Sequence, residues 1–129
     1  MDIIADTNIF LAVSLNEAER RRIVDLTNDA SITAPEILPY EIGNALSAMV
    51  KRKKLTHEEA LDAENVANLI PVRLVNVDIH GSLKIALEHN IYAYDAYFLQ
   101  CAKAYSLPLL TLDKQMKQVA GQLGIQVLG

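Results

Sequence analysis

The sequence predicts an alternating α/β fold, a single domain over residues 1–129 with a five-stranded parallel sheet between two layers of helices. Three observations carry that reading. Residues 3–5 and 109–112 are short apolar runs without polar alternation, as expected of strands buried on both faces. Such runs are separated by segments of helical periodicity, the order that builds a parallel sheet with helices on both sides. Finally, 51% hydrophobic and 22% charged residues in a chain of 129 are the composition of a folded domain with an ordinary core.

Taken in order, residues 9–15 suit a short helix and 17–30 a longer one, with Leu15, Ile23 and Leu26 on its apolar side. Residues 31–34 are β-prone and end at Pro35. Leu38, Ile42, Ala45, Leu46, Met49 and Val50 recur at helical spacing, which places Pro39 in a first turn. The cations of Lys51-Arg52-Lys53-Lys54 suit that helix's C-terminus. Thr56-His57-Glu58-Glu59 has the form of a capping box opening a helix to about residue 69. Residues 72–77 alternate and suit a less buried strand. Asp78 reads as the N-cap of a helix ending near Asn90, a residue able to take the left-handed C′ position. Residues 94–105 are apolar around most of their circumference, so Tyr97, Tyr105 and Cys101 are expected in the core. After 109–112 a last helix runs to about 123, and 125–128 makes a fifth strand. The polar alternates at 72–77 and 125–128 place those strands at the edges, leaving 3–5 and 109–112 in the middle.

Composition narrows the function. The net charge of −4 argues against a nucleic-acid binder held mainly by a basic surface. Four of the 16 acids given over to a cation would leave 12, matching the 12 basic residues, so a nuclease remains compatible. No apolar run approaches the ~20 residues of a membrane span, and Asp2 interrupts a signal-peptide pattern. With Cys101 alone there is no disulfide within the chain, and a reducing cytoplasm is the expected setting. His57, His80 and His89 form no ligand spacing with Cys101, so zinc is not expected.

The chemistry falls on carboxylates. Asp6 closes one central strand and Asp113 the other; if these strands are neighbours, both acids stand at one rim, where strand order reverses and such folds place their sites. Glu41 lies early in the third helix and Asp95 in the first turn of the buried one. Asp95 and Asp113 also suit N-caps, and Glu41 a solvated helix face. Asp78 has a capping role and no strand end behind it, so it stays outside the site. Converging carboxylates repel, and a hard divalent cation reverses that sign. Among the basic residues, Lys114 and Lys117 are best placed to meet a phosphate. Arg20-Arg21-Arg22 and the run from Lys51 to Lys54 suit solvated faces equally well.

Asp6-Thr7-Asn8, Glu41-Ile42-Gly43-Asn44-Ala45-Leu46, Tyr94-Asp95-Ala96-Tyr97 with Ala102, and Leu110-Thr111-Leu112-Asp113 together resemble the PIN-domain ribonucleases. The likeness is closest to the VapC-like toxins of toxin–antitoxin pairs, and it spans essentially the whole chain. It implies that Asp6, Glu41, Asp95 and Asp113 bind Mg²⁺, with Mn²⁺ as substitute. Asp6 and Asp95 would be direct ligands, and Thr7, Asn8 and Thr111 supporting polar groups. It further implies endonucleolytic cleavage of RNA to 5′-phosphate and 3′-hydroxyl ends, a homodimer, and a small VapB-like antitoxin lying across the site. The competing reading is a PIN fold that binds RNA or protein without cutting; loss of an acid would be its sign, and all four are present. A phosphatase of the aspartyl-phosphate type fits poorly, because Asn8 stands where its second Asp is needed.

Overall fold

The computed structural model describes residues 1–129. Four strands, β1 (Asp2–Ala5), β2 (Ser31–Pro35), β3 (Arg73–Val75) and β4 (Leu109–Leu110), form one sheet in the order β3-β2-β1-β4. All pairings are parallel, with Ile3 opposite Ile32, Ile4 opposite Leu109, and Ala34 opposite Leu74. The chain steps outward from β1 through β2 to β3, then returns to β1's other edge. Strand order reverses between β1 and β4, and sheets of this kind place their ligands beyond the carboxyl ends of the strands at such a point. Ile3, Ile4 and Ala5 are fully buried, as their unalternated pattern requires.

Seven helices complete the molecule: α1 (Thr7–Ser14), α2 (Arg20–Thr27), α3 (Leu38–Lys51), α4 (His57–Asn68), α5 (Ile79–His89), α6 (Ala93–Tyr105) and α7 (Lys114–Gln122). They fall into two groups. α1 packs with α2, α3 and α4, while α6 lies on β1 and β2 and carries α5 and α7. One hydrophobic cluster joins the sheet to both groups, with Phe10, Leu38, Phe98, Leu99 and Met116 among its fully buried members. Local signals fixed several boundaries. Thr56 and Glu59 form the reciprocal capping box that opens α4. Asn90 ends α5 in the left-handed region at φ 53°, and Pro39 lies in the first turn of α3.

The fifth expected strand is reduced to a single parallel bridge, Leu109 to Val127, held by Leu109 N–H on Gln126 C=O (2.8 Å) and Leu128 N–H on Leu109 C=O (2.9 Å). The reason lies in β4. After Leu110 the backbone bends and the Asp113 N–H goes to the Thr111 hydroxyl, so β4 offers its outer side at one residue only and is the edge strand of the sheet, a correction to its expected place in the middle. The long helix expected over 17–30 is confined to Arg20–Thr27, and Asn16, at a left-handed φ of 54°, lies in the turn that separates it from α1. Asp78 occupies the N-cap position of α5, but its carboxylate makes no capping bond. Tyr105 is exposed and Tyr97 half-buried, a correction to their expected place in the core; α6 turns both toward its open side.

Gly43 lies mid-helix in α3, and a Cβ added there would meet nothing within 4 Å. Gly43→Ala is therefore expected to stabilise the protein by about 0.5–1 kcal/mol through helix propensity alone, read as a higher urea midpoint at unchanged slope.

Candidate active site

The carboxyl ends of β1 and β4 meet around Asp6, which follows β1 and caps α1. Its Oδ1 accepts the Thr7 N–H at 2.8 Å. Its Oδ2 accepts the Thr111 hydroxyl at 2.8 Å and the Asn8 side-chain amide at 3.2 Å. The Thr111 oxygen in turn accepts from Asn8 Nδ2 (3.2 Å) and from the Asp113 N–H (3.1 Å). A hydroxyl has one proton and two lone pairs, so Thr111 is saturated and its proton is committed to Asp6. Asn8 closes the ring by accepting the Leu112 N–H on Oδ1 at 3.2 Å. Three polar side chains thus lock the end of β1 to the segment after β4.

Asp113 hangs from this lock. Its Oδ1 caps α7, accepting from Gln115 N–H (2.8 Å) and Met116 N–H (3.2 Å). The expected capping role is real, and it leaves Oδ2 without a hydrogen bond. Glu41 stands in the first turn of α3 and Asp95 in the first turn of α6, both half-buried. Lys114 and Lys117 lie on the first turns of α7, the former exposed and the latter half-buried.

Electrostatics ties the four acids together. Asp6 is only 5% exposed, and burial pushes its carboxyl up to about 6. The Thr111 and Thr7 hydrogen bonds oppose that rise, and the charges of Asp95 and Asp113 add to it. Glu41 is raised by burial, then by Asp95 and Asp6; Asp95 is raised by burial, then by Asp113. A first-turn position favours an ionised carboxylate through the helix dipole. At Asp95, burial and the neighbouring acid outweigh it. Four acids from four elements therefore share one electrostatic neighbourhood. No three of the chain's His, Cys, Asp and Glu side chains are drawn into a ligand group, however. The donors are all carboxylate oxygens, the set a hard divalent ion takes. Beside Asp6 the buried Thr7 hydroxyl has no hydrogen-bond partner, an orphan that buried polar groups rarely leave.

One feature escaped the sequence, the Asn8–Leu112 closure, which only strand order reveals. Tyr40, Tyr92 and Tyr94 are exposed.

This sheet order and rim of acids define a class of protein: residues 3–122 match the PIN domain family model, and the chain belongs to that family. It is 30% identical over 100 residues to Ribonuclease VapC1 of Mycobacterium tuberculosis, covering 74% of this chain and 73% of that protein. Its fold is shared with VapBC2 of Rickettsia felis, solved bound to a DNA fragment from their promoter, at TM-score 0.68 and 17% identity over 99% of this chain and 98% of that one. It is shared equally with PAE2754 of Pyrobaculum aerophilum, at TM-score 0.68 and 20% identity over 92% and 87%.

The raised Asp6 value has a consequence for stability. A carboxyl whose folded value (about 6) exceeds its ordinary one (3.8) stabilises the fold fully below pH 3.8, and that contribution is lost as pH rises through 6. Above pH 6 the metal-free protein carries a burden of up to about 3 kcal/mol from this group. Asp6→Asn is therefore expected to melt higher than the parent in EDTA at pH 7.5, with the gap closing toward pH 4. An equal gap at both pH values would show that the charge is not what strains the site.

Proposed function

We propose that this protein is a Mg²⁺- or Mn²⁺-dependent endoribonuclease, the toxin of a VapBC-like toxin–antitoxin pair acting in the cytoplasm. The observation that carries the reading is the electrostatic coupling of Asp6, Glu41, Asp95 and Asp113 around the carboxyl ends of β1 and β4. Kinship to a protein named as a ribonuclease supports it.

Asp6 and Asp95 are the residues to hold the ion directly, with Glu41 and Asp113 binding through water. When bound, a divalent ion acidifies water and neutralises charge growing on the phosphoryl oxygens. The chain's own groups do the rest. Thr111 and Asn8 fix Asp6 in place, and the bonds donated by Thr111 and the Thr7 N–H counter the rise that burial imposes on its carboxyl. Glu41, raised by burial and its neighbours, is a better proton acceptor than an ordinary carboxylate and serves to orient the attacking water. The unbonded Oδ2 of Asp113 faces the same task. Lys114 and Lys117 contact the phosphate backbone.

A small VapB-like antitoxin would silence the enzyme by covering the acids. A second copy of the chain would pair through α5, whose Ile79, Leu83 and Leu87 form an exposed apolar row at four-residue spacing. Sedimentation at micromolar concentration is expected to give twice the chain mass, and a monomer would overturn the pairing.

Cleavage of single-stranded RNA is expected in Mg²⁺ or Mn²⁺ and not in EDTA, leaving 5′-phosphates. Asp6→Asn and Asp95→Asn should each lower the rate by more than about 100-fold, and Thr111→Val, which removes only the supporting bond, by roughly 10–100-fold. Full activity in a folded Asp6→Asn protein would overturn the assignment.

A further inference from the structure

α3 and α4 leave between them an open groove of about 520 Å³, lined from α3 by Gly43, Leu46, Val50 and Lys51 and from α4 by His57 and Leu61. Leu46 is buried and forms its floor, while Leu61 stands 68% exposed on its wall. The surface of the groove is almost wholly apolar. The one hydroxyl in it, on Ser47, is already donated to the Asn44 C=O at 2.9 Å. From Gly43 to Lys51 the groove follows α3 for ~12 Å, at a rise of ~1.5 Å per residue. A mid-helix glycine weakens a helix, and no neighbour in the chain needs the room, since a Cβ at Gly43 would meet nothing within 4 Å. The space it leaves open belongs to the groove.

Charge is confined to the ends. Lys51 closes α3 and His57 opens α4, so both stand where the two helices join. Glu64, the groove's only carboxylate, lies further along α4. One end therefore attracts an anion and the other repels it, which fixes the direction of an occupant. The volume is that of a small-ligand site, typically ~300–1,000 Å³. An extended peptide laid along this surface would leave backbone amides without partners, whereas a hydrocarbon or aromatic body leaves nothing unpaired.

We propose that the α3–α4 groove binds a small amphipathic anion. Its carboxylate or sulfonate head meets Lys51 and His57, and its apolar body lies over Leu46, Val50 and Leu61 and reaches Gly43. The inference does not rest on the ribonuclease reading, because none of these residues belongs to the four acids or to their hydrogen-bonded supports.

The folded full chain is titrated with anilinonaphthalene sulfonate, an apolar anion whose emission rises away from water. The bound dye is then displaced with decanoate, decanol or decylamine, each below its micellar concentration. One dye per chain is expected, displaced by decanoate ahead of the other two. Lys51→Gln should weaken decanoate by roughly two- to fivefold and leave decanol unchanged. Gly43→Leu, whose side chain would occupy the groove, should remove dye and decanoate binding while melting no lower than the parent. Equal displacement by all three amphiphiles, decanoate affinity unchanged in Lys51→Gln, or parental binding by Gly43→Leu would each overturn the proposal. So would a chain that takes up neither dye nor decanoate. Uptake of an apolar helical peptide by such a chain, blocked by Gly43→Leu, would assign the groove to a protein segment instead.

Discussion

Everything at the functional end depends on one hydrogen bond, from the Thr111 hydroxyl to Asp6 Oδ2. It spans 105 residues of sequence and joins the ends of β1 and β4 at the point where strand order reverses. Backbone pairing alone holds that seam loosely, because β4 contributes only Leu109 and Leu110 to the ladder. The side-chain lock of Asp6, Asn8 and Thr111 extends the junction past the last ladder bond. It also hands the Asp113 N–H a partner, which sets where α7 begins. Fold and site share these atoms.

Such a site works against the stability of its own fold. Burial raises Asp6, Glu41 and Asp95, and each feels at least one of the other acids, so the ionised cluster is a standing cost at neutral pH. The core absorbs it. The strand that delivers Asp6 is wholly buried, and α6, which delivers Asp95, buries Ala96, Phe98, Leu99, Cys101 and Ala102 behind the acid. A rigid support holds like charges near one another, where a mobile loop would let them drift apart. The same arithmetic explains why a divalent ion is a natural complement to this end of the sheet, since it removes the repulsion that the scaffold has to resist.

Much of this was legible in the residues, and for identifiable reasons. Continuous apolar runs ending on Asp6 and shortly before Asp113 announced buried strands, because burial on both faces leaves no alternation to disguise them; the second run nevertheless lies at the edge of the sheet. Capping chemistry is local, so Thr56 with Glu59 and the left-handed Asn90 could be read from a few residues. Non-local consequences were not legible. The 125–128 segment has the composition of an edge strand, yet its pairing depends on how far β4 runs, and that is decided by Thr111 serving Asp6. Tyr105 carries the same apolar signal as Phe98, but only the packing of α6 against β1, β2 and α5 determines which side is covered.

Asp113 shows how one residue answers two demands without compromise between them. A carboxylate has two oxygens, and capping α7 uses only Oδ1. Capping α7 therefore occupies one oxygen of Asp113 and leaves the other free of hydrogen bonds. Asp6 is similar: Oδ1 serves the first turn of α1, while Oδ2 serves the seam. In both cases a helix begins where a strand ends, so the orphan N–H groups of a first turn lie within reach of a carboxylate at the rim. The short connections of this fold are why the acids that follow β1 and β4 can cap the next helix and still present an oxygen elsewhere.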